Sequence, residues 1–148
     1  MKTTSVEQMG HGAFLLRLAL GFMWISHALL KWHVFTLPGF AQWLDGKGLP
    51  GFMAWPVFLM EISGGTAIVL GFFGRYVSLL LLPILVVATG THIPNGWVFT
   101  NAGGGWEYPV FLIVASLAHY LLGDGPLAVS HFLKRHSSVT RRPATASQ

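Results

Sequence analysis

Few residues of this chain can do chemistry, and those few stand where charge is costly. Arg17, His27, Lys31, Glu61, His92, Asn95 and Glu107 lie within or at the ends of long apolar runs. Glu61 is the sharpest case, set inside MEISGGTAIVLG at 60–71. A charge at the centre of a bilayer costs about 2.5–3.5 kcal/mol even on lenient insertion scales, so a partner is required. Arg17, on the inner part of the first apolar run, is the expected partner, and a structural ion pair Arg17–Glu61 is predicted. Gly64 and Gly65 follow Glu61 on one helical face, which lets a neighbouring helix approach closely. Two roles stay open for Glu61: glue that fixes helix register, or a group that carries a proton or binds a ligand.

A second set surrounds this pair. Arg17, Gly21, Trp24, Ala28 and Lys31 recur at offsets of 0, 4, 7, 11 and 14, so they share one helical face, expected to point into a bundle. His27 stands beside that stripe. His92 ends the third apolar run, Asn95 follows in Pro94-Asn95-Gly96, and Glu107 opens the fourth run. Trp24, His27, Lys31, His92 and Asn95 therefore form the candidate ligand-binding set, with Glu61 and Glu107 as candidate catalytic proton carriers. Each has a plainer reading. Lys31 can snorkel to the interface, Glu107 can face the dipole of a helix start, and His92 can bond its own loop. His27 can be a lone satisfied imidazole. His119 falls off the Glu107 face near the opposite end and is left out of the set, while His11, His131 and His136 look interfacial.

The residue spacing also excludes chemistry. No HxxxH or HxxH pair occurs, so no metal site is expected, and a haem would have to use His27 with His92 at one depth. The chain has no cysteine, which removes disulfides, thiolate ligands and thiol redox steps. Gly103-Gly104-Gly105 lacks the lysine of a phosphate-binding loop.

The elements that must position these residues are helices in a membrane. Of 148 residues, 53% are hydrophobic and 9% charged, against about 25% charged in soluble domains. Four spans are expected, at 12–30, 52–73, 76–93 and 106–122, in one all-α antiparallel four-helix bundle occupying 1–136. The first run is broken by Arg17 and lacks a small-residue cleavage pattern, so it reads as a retained span rather than a signal peptide. The tetrapeptide Leu-Pro-Gly-Phe, at 37–40 and 49–52, flanks a brief amphipathic helix around 40–44. The short 71–75 connection forces a helical hairpin. An interfacial helix over 127–136 and a disordered basic tail over 137–148 complete the chain. Lys2, Arg75, Lys134, Arg135, Arg141 and Arg142 lie on one side, against Lys31 and Lys47 on the other. That bias places both termini in the cytoplasm of a multi-pass inner-membrane protein. The net charge of +4 then serves lipid headgroups, and no nucleic-acid partner is expected.

Three stretches, LLRLALGFMWISHALLK at 15–31, MEISGGTAIVLGFFGR at 60–75 and THIPNGWVFTNAGGGWEYP at 91–109, together resemble the DoxX family of small four-span bacterial membrane proteins. The resemblance covers about 12–125 and implies a four-helix bundle often linked to oxidoreductase complexes, including quinone-linked ones. It supplies no agreed catalytic residues; the positions matching its polar signature are Arg17, His27, Lys31, Glu61, Arg75, His92, Asn95 and Glu107. The resulting expectation is a redox-associated accessory subunit holding a quinone-like or other small lipophilic ligand in the outer half of the bundle. Trp24 would stack on the ring, and His27 and Lys31 would donate to a carbonyl. Electrons would come from a bound cofactor or a redox partner protein, and whether the chain is itself an enzyme stays open, as does a homo-oligomer. The alternative is a non-enzymatic membrane scaffold, assembly factor or small-molecule carrier.

Overall fold

The computed structural model describes residues 2–131 and 133, with side chains from residue 5 onward. All regular elements among them are helical: α1 (Lys2–His33), α2 (Leu37–Gly46), α3 (Ala54–Leu70), α4 (Gly74–Leu80), α5 (Leu82–His92) and α6 (Glu107–Leu122). Short 3₁₀ turns at Gly51–Met53 and Ile93–Asn95 lead into α3 and out of α5. Three stretches are long and apolar enough to cross a bilayer, Ser5–His33, Gly51–Leu70 and Gly74–Asn95. The 16 residues of α6 rise only about 24 Å, short of the roughly 30 Å hydrocarbon core. The chain is a helical membrane protein, and its outward apolar surface follows from that medium. The interfacial helix expected over 127–136 lies only partly within the described residues, and the tail over 137–148 lies outside them.

The largest interface joins α1 to α3. It forms because glycines face each other there. A methyl on Gly21 would sit 2.9 Å from the Gly65 carbonyl oxygen, and one on Gly65 would sit 2.9 Å from the Gly21 oxygen. Gly64 serves the other side of α3, where a methyl would meet Leu81 at 2.9 Å. The glycine pair thus lets two helices approach α3 on adjacent faces. Between them Leu20, Trp24, Ile68, Leu81, Leu85, Leu112 and Ala115 make the core.

The third apolar stretch, expected over 76–93, runs from Gly74 to Asn95. It breaks at Leu81 between α4 and α5, with Pro83 in the first turn of α5. Proline lacks an N–H and its ring crowds the preceding turn, so the regular helix is interrupted for one residue, although Leu81 keeps right-handed helical angles and still bonds the Val77 carbonyl. Beyond the break α5 packs on α6, while α3 keeps to α4. The hairpin before it is tighter than expected, only residues 71–73, with Gly71 closing α3 in the left-handed region at φ 67°. The helix expected at 40–44 is longer, Leu37–Gly46, and its far end is tied down where Asp45 accepts from the Gly51 N–H at 2.8 Å.

Two ends of the bundle can be named for what they hold. The turn end has the 71–73 hairpin and residues 123–130; the loop end has the 34–53 and 93–106 connections.

Candidate functional site: two buried polar centres

The interior stripe of α1 holds. Arg17, Gly21, Trp24 and Ala28 are buried and Lys31 is nearly so. Its charged ends, however, reach different partners from the expected one.

At the loop end the Lys31 ammonium lies 2.8 Å from both Oε1 and Oε2 of Glu61. The side chains are 14% and 3% exposed, so the pair is largely withdrawn from water and lipid. Phe40 of α2 covers it, with the Lys31 Nζ 5.2 Å from the ring centroid. The expected Arg17–Glu61 pair is thereby corrected, and the glycine contact explains why. Gly21 faces Gly65 in antiparallel helices, so Arg17 lies one turn toward one end and Glu61 one turn toward the other. Those eight residues of rise separate their backbones by about 12 Å, too far for the two side chains to meet as a close pair.

At the turn end Arg17 instead donates from Nη1 to the Asp124 carbonyl at 2.8 Å and lies over the Phe14 ring at 5.0 Å. The Asp124 carboxylate turns inward. Its Oδ1 accepts from the Arg75 backbone N–H at 2.7 Å and stands 3.4 Å from His119 Nε2, a close approach not aligned as a hydrogen bond. His119 Nδ1 lies 2.7 Å from the Ser78 hydroxyl, with both residues wholly buried. Burial works to raise the Asp124 carboxyl; contact with His119, the Arg75 N–H and the Arg17 charge outweigh it, so the group titrates below its ordinary value. Residues 123–130 form a strap over this centre: Ala128 is fully buried against Gly71, and the Gly71 carbonyl accepts from the Ser130 N–H at 3.2 Å.

The remaining candidates divide. His27 Nδ1 lies 3.0 Å from the Met23 carbonyl, which can only accept, so Nδ1 carries the proton and Nε2 is left as an acceptor. Its ring stacks on Tyr108 at 5.8 Å. Trp24 is 2% exposed within the core, its indole N–H buried without a partner, as is the Ser116 hydroxyl. His92 Nδ1 bonds the Ala88 carbonyl at 2.7 Å. Asn95 donates to the Gly103 and Gly104 carbonyls, and Glu107 accepts from the Phe99 N–H at 2.9 Å. Asn95 and Glu107 hold the 93–106 connection in shape, while His92 is tied to its own helix. No group of three or more metal-ligating side chains occurs among the described residues.

Sequence reasoning missed Tyr108, Ser78, His119 and Asp124. The signal for the last three was the polar interruption of apolar helices at 78 and 119, followed by Gly123-Asp124-Gly125 just past the final one.

Grooves open on the surface of the described residues. One of about 240 Å³ lies among Trp32, Thr36, Leu37, Pro38 and Trp55, and one of about 330 Å³ lies among Lys47, Leu49, Val87, Gly90, Thr91 and Pro94.

A bundle of apolar helices that buries a few charged groups at the contacts between helices defines a small integral-membrane protein. The chain belongs to the DoxX family, whose pattern its residues 12–100 match. It is also similar to the "Putative oxidoreductase CatD" of Bacillus subtilis (strain 168), 30% identical over 132 residues, or 87% of this chain and 94% of that protein. No solved structure matches it significantly.

Proposed function

We propose that this protein is a redox-associated membrane subunit that holds a quinone-like lipophilic ligand at the loop end, between α1, α3 and α6. The observation that carries the reading is the Lys31–Glu61 pair, a carboxylate and an ammonium held at 2.8 Å inside an apolar bundle under one aromatic cover. An intramembrane ionisable pair is a functional candidate by default. Both Glu61 oxygens share the ammonium, so the third N–H direction is left toward the Phe40 side, where a ligand carbonyl could replace the ring. His27 refines the expected chemistry. With its proton fixed on Nδ1 by Met23, Nε2 accepts rather than donates, which suits the hydroxyl of a reduced quinol. Oxidising a quinol releases two protons and two electrons. The half-buried His27 and the buried Glu61 are the candidate acceptors for the protons, and the electrons pass to a bound cofactor or a redox partner protein.

Membrane placement follows the same reading. The chain crosses the inner membrane four times with both termini cytoplasmic; α6 supports this by reaching from the His27 level, through Tyr108, to the Arg17 level, through His119 and Asp124. Extraction of the purified protein tests the ligand. A quinone recovered in stoichiometric amount, lost in Glu61→Gln, is the expected result. Protein that carries no quinone and shifts no quinol oxidation rate when given its partner rules the reading out.

A specific observation favours the second reading, a scaffold or carrier without redox chemistry. Trp24, expected as the wall of a cavity, is packed at 2% exposure in the core, and both grooves lie on the surface. An absorption spectrum and lipid-extract mass spectrum showing neither a chromophore nor a quinone would select it.

A further inference from the structure

The turn end carries more positive charge than its own acid balances. Arg17 and Arg75 stand around the single carboxylate of Asp124, and that carboxylate faces inward to the Arg75 backbone and His119 rather than to either guanidinium. The Arg75 guanidinium has no carboxylate partner among the described residues, whose ion pairs are Lys31–Glu61 and His119–Asp124. It is nonetheless held in place. Its Cζ lies 4.8 Å from the Tyr76 ring centroid and 5.2 Å from that of Tyr120, and the two rings are 6.0 Å apart. Nε is buried without a partner, the two rings hold the guanidinium, and its terminal fork makes no hydrogen bond among the described residues, so the fork is what remains to engage a ligand.

We propose that this clamped guanidinium is a binding site for the phosphate of an anionic phospholipid. Planar forks favour bidentate phosphate contacts, and an arginine already ordered by two rings loses little freedom on binding. The surroundings select a lipid over a phosphate free in water. Phe72, Phe73 and Tyr76 are about half exposed at the hairpin, and Leu121 and Leu122 are exposed beside Gly123. Gly123 itself comes within reach of the fork, where a methyl on it would lie 3.9 Å from Arg75 Nη1. A headgroup bound there sets its acyl chains along an apolar surface that soluble phosphate would leave uncovered. The Tyr76 and Tyr120 hydroxyls sit at the polar ends of those rings, as interfacial tyrosines do.

The test is native mass spectrometry of the full-length protein in detergent with added phosphatidylglycerol, phosphatidylcholine or inorganic phosphate. Phosphatidylglycerol adducts should be retained about tenfold more strongly than phosphatidylcholine, and Arg75→Gln should abolish the preference. Tyr120→Leu, which keeps an apolar side chain but removes one face of the clamp, should reduce it several-fold while the thermal midpoint stays near that of the unaltered protein. That variant carries the test alone if Arg75→Gln fails to fold. Equal retention of the two lipids, or a preference undiminished in the folded variants, overturns the proposal. So does inorganic phosphate that binds at Arg75 and is not displaced by phosphatidylglycerol.

Discussion

The loop end and the turn end bury charge in opposite ways. At the loop end one ammonium meets one carboxylate directly, with both oxygens engaged, and an aromatic ring closes the site. At the turn end one carboxylate is shared among a backbone N–H and an imidazole, while a guanidinium takes the backbone carbonyl of the same residue. The first arrangement stakes everything on one contact; the second spreads it over α1, α4, α6 and the strap. Removing a single partner should therefore do more harm at the loop end, where a naked charge is left behind.

The largest expected effect tests that asymmetry. Glu61→Leu or Lys31→Met alone should cost about 3–5 kcal/mol, because each leaves an unpaired buried charge, while the double variant should fall close to the unaltered protein. Denaturation in detergent micelles measures this, and single variants as stable as the double would erase the contrast. The exchanged pair Lys31→Glu with Glu61→Lys should recover most of the loss, whereas Arg17→Glu with Glu61→Arg should recover none. Next comes the junction that sets the two levels apart. Gly65→Leu drives a side chain into the Gly21 backbone and should cost at least the 1–3 kcal/mol of an overpacked core. Gly90→Leu, where an added Cβ meets nothing within 4 Å, should cost much less in the same melt.

Smaller effects belong to the turn end. Asp124 has a lowered carboxyl titration, so its contribution is complete above the ordinary carboxylate value of about 3.9 and disappears as pH falls through the lower folded value. Asp124→Asn should therefore lower stability at neutral pH and flatten the acid limb of the stability–pH curve; a variant with an unchanged acid limb would show that the charge is not what Asp124 contributes. Ser78→Ala should be the mildest, about 1 kcal/mol for a hydrogen bond shared with a buried imidazole, read from the same melts.

How much of this the sequence made legible follows from what helical periodicity can and cannot encode. The interior face of α1 was readable, because Arg17, Gly21, Trp24, Ala28 and Lys31 repeat with the turn and are buried together. The close approach at Gly64 and Gly65 was readable for the same reason. Partner choice was not, since it depends on the axial offset between two antiparallel helices. Placing Glu61 midway along a span beginning at 52 put its backbone within about 10 Å of the Arg17 level, near enough for a long side chain to bridge; the Gly21–Gly65 contact makes that offset about 12 Å and brings Glu61 nearer the Lys31 level. His92, Asn95 and Glu107 were recognised as polar groups at the loop end; His92 bonds Ala88 one turn back in its own helix, whereas the partners of Asn95 and Glu107 at 99, 103 and 104 belong to an irregular connection that no period describes. The turn-end centre escaped because His119 lies off the Glu107 face and near the other end, and its partners come from α4 and from beyond α6.

The break at Leu81 has a mechanical corollary. Below it, α4 is locked to α3 through Gly64; above it, α5 leans on α6 and bears little on α3. The ammonium–carboxylate contact therefore does not depend on the upper arm of that helix, and any tilt of that arm would open the side between α3 and α5 that faces the acyl chains.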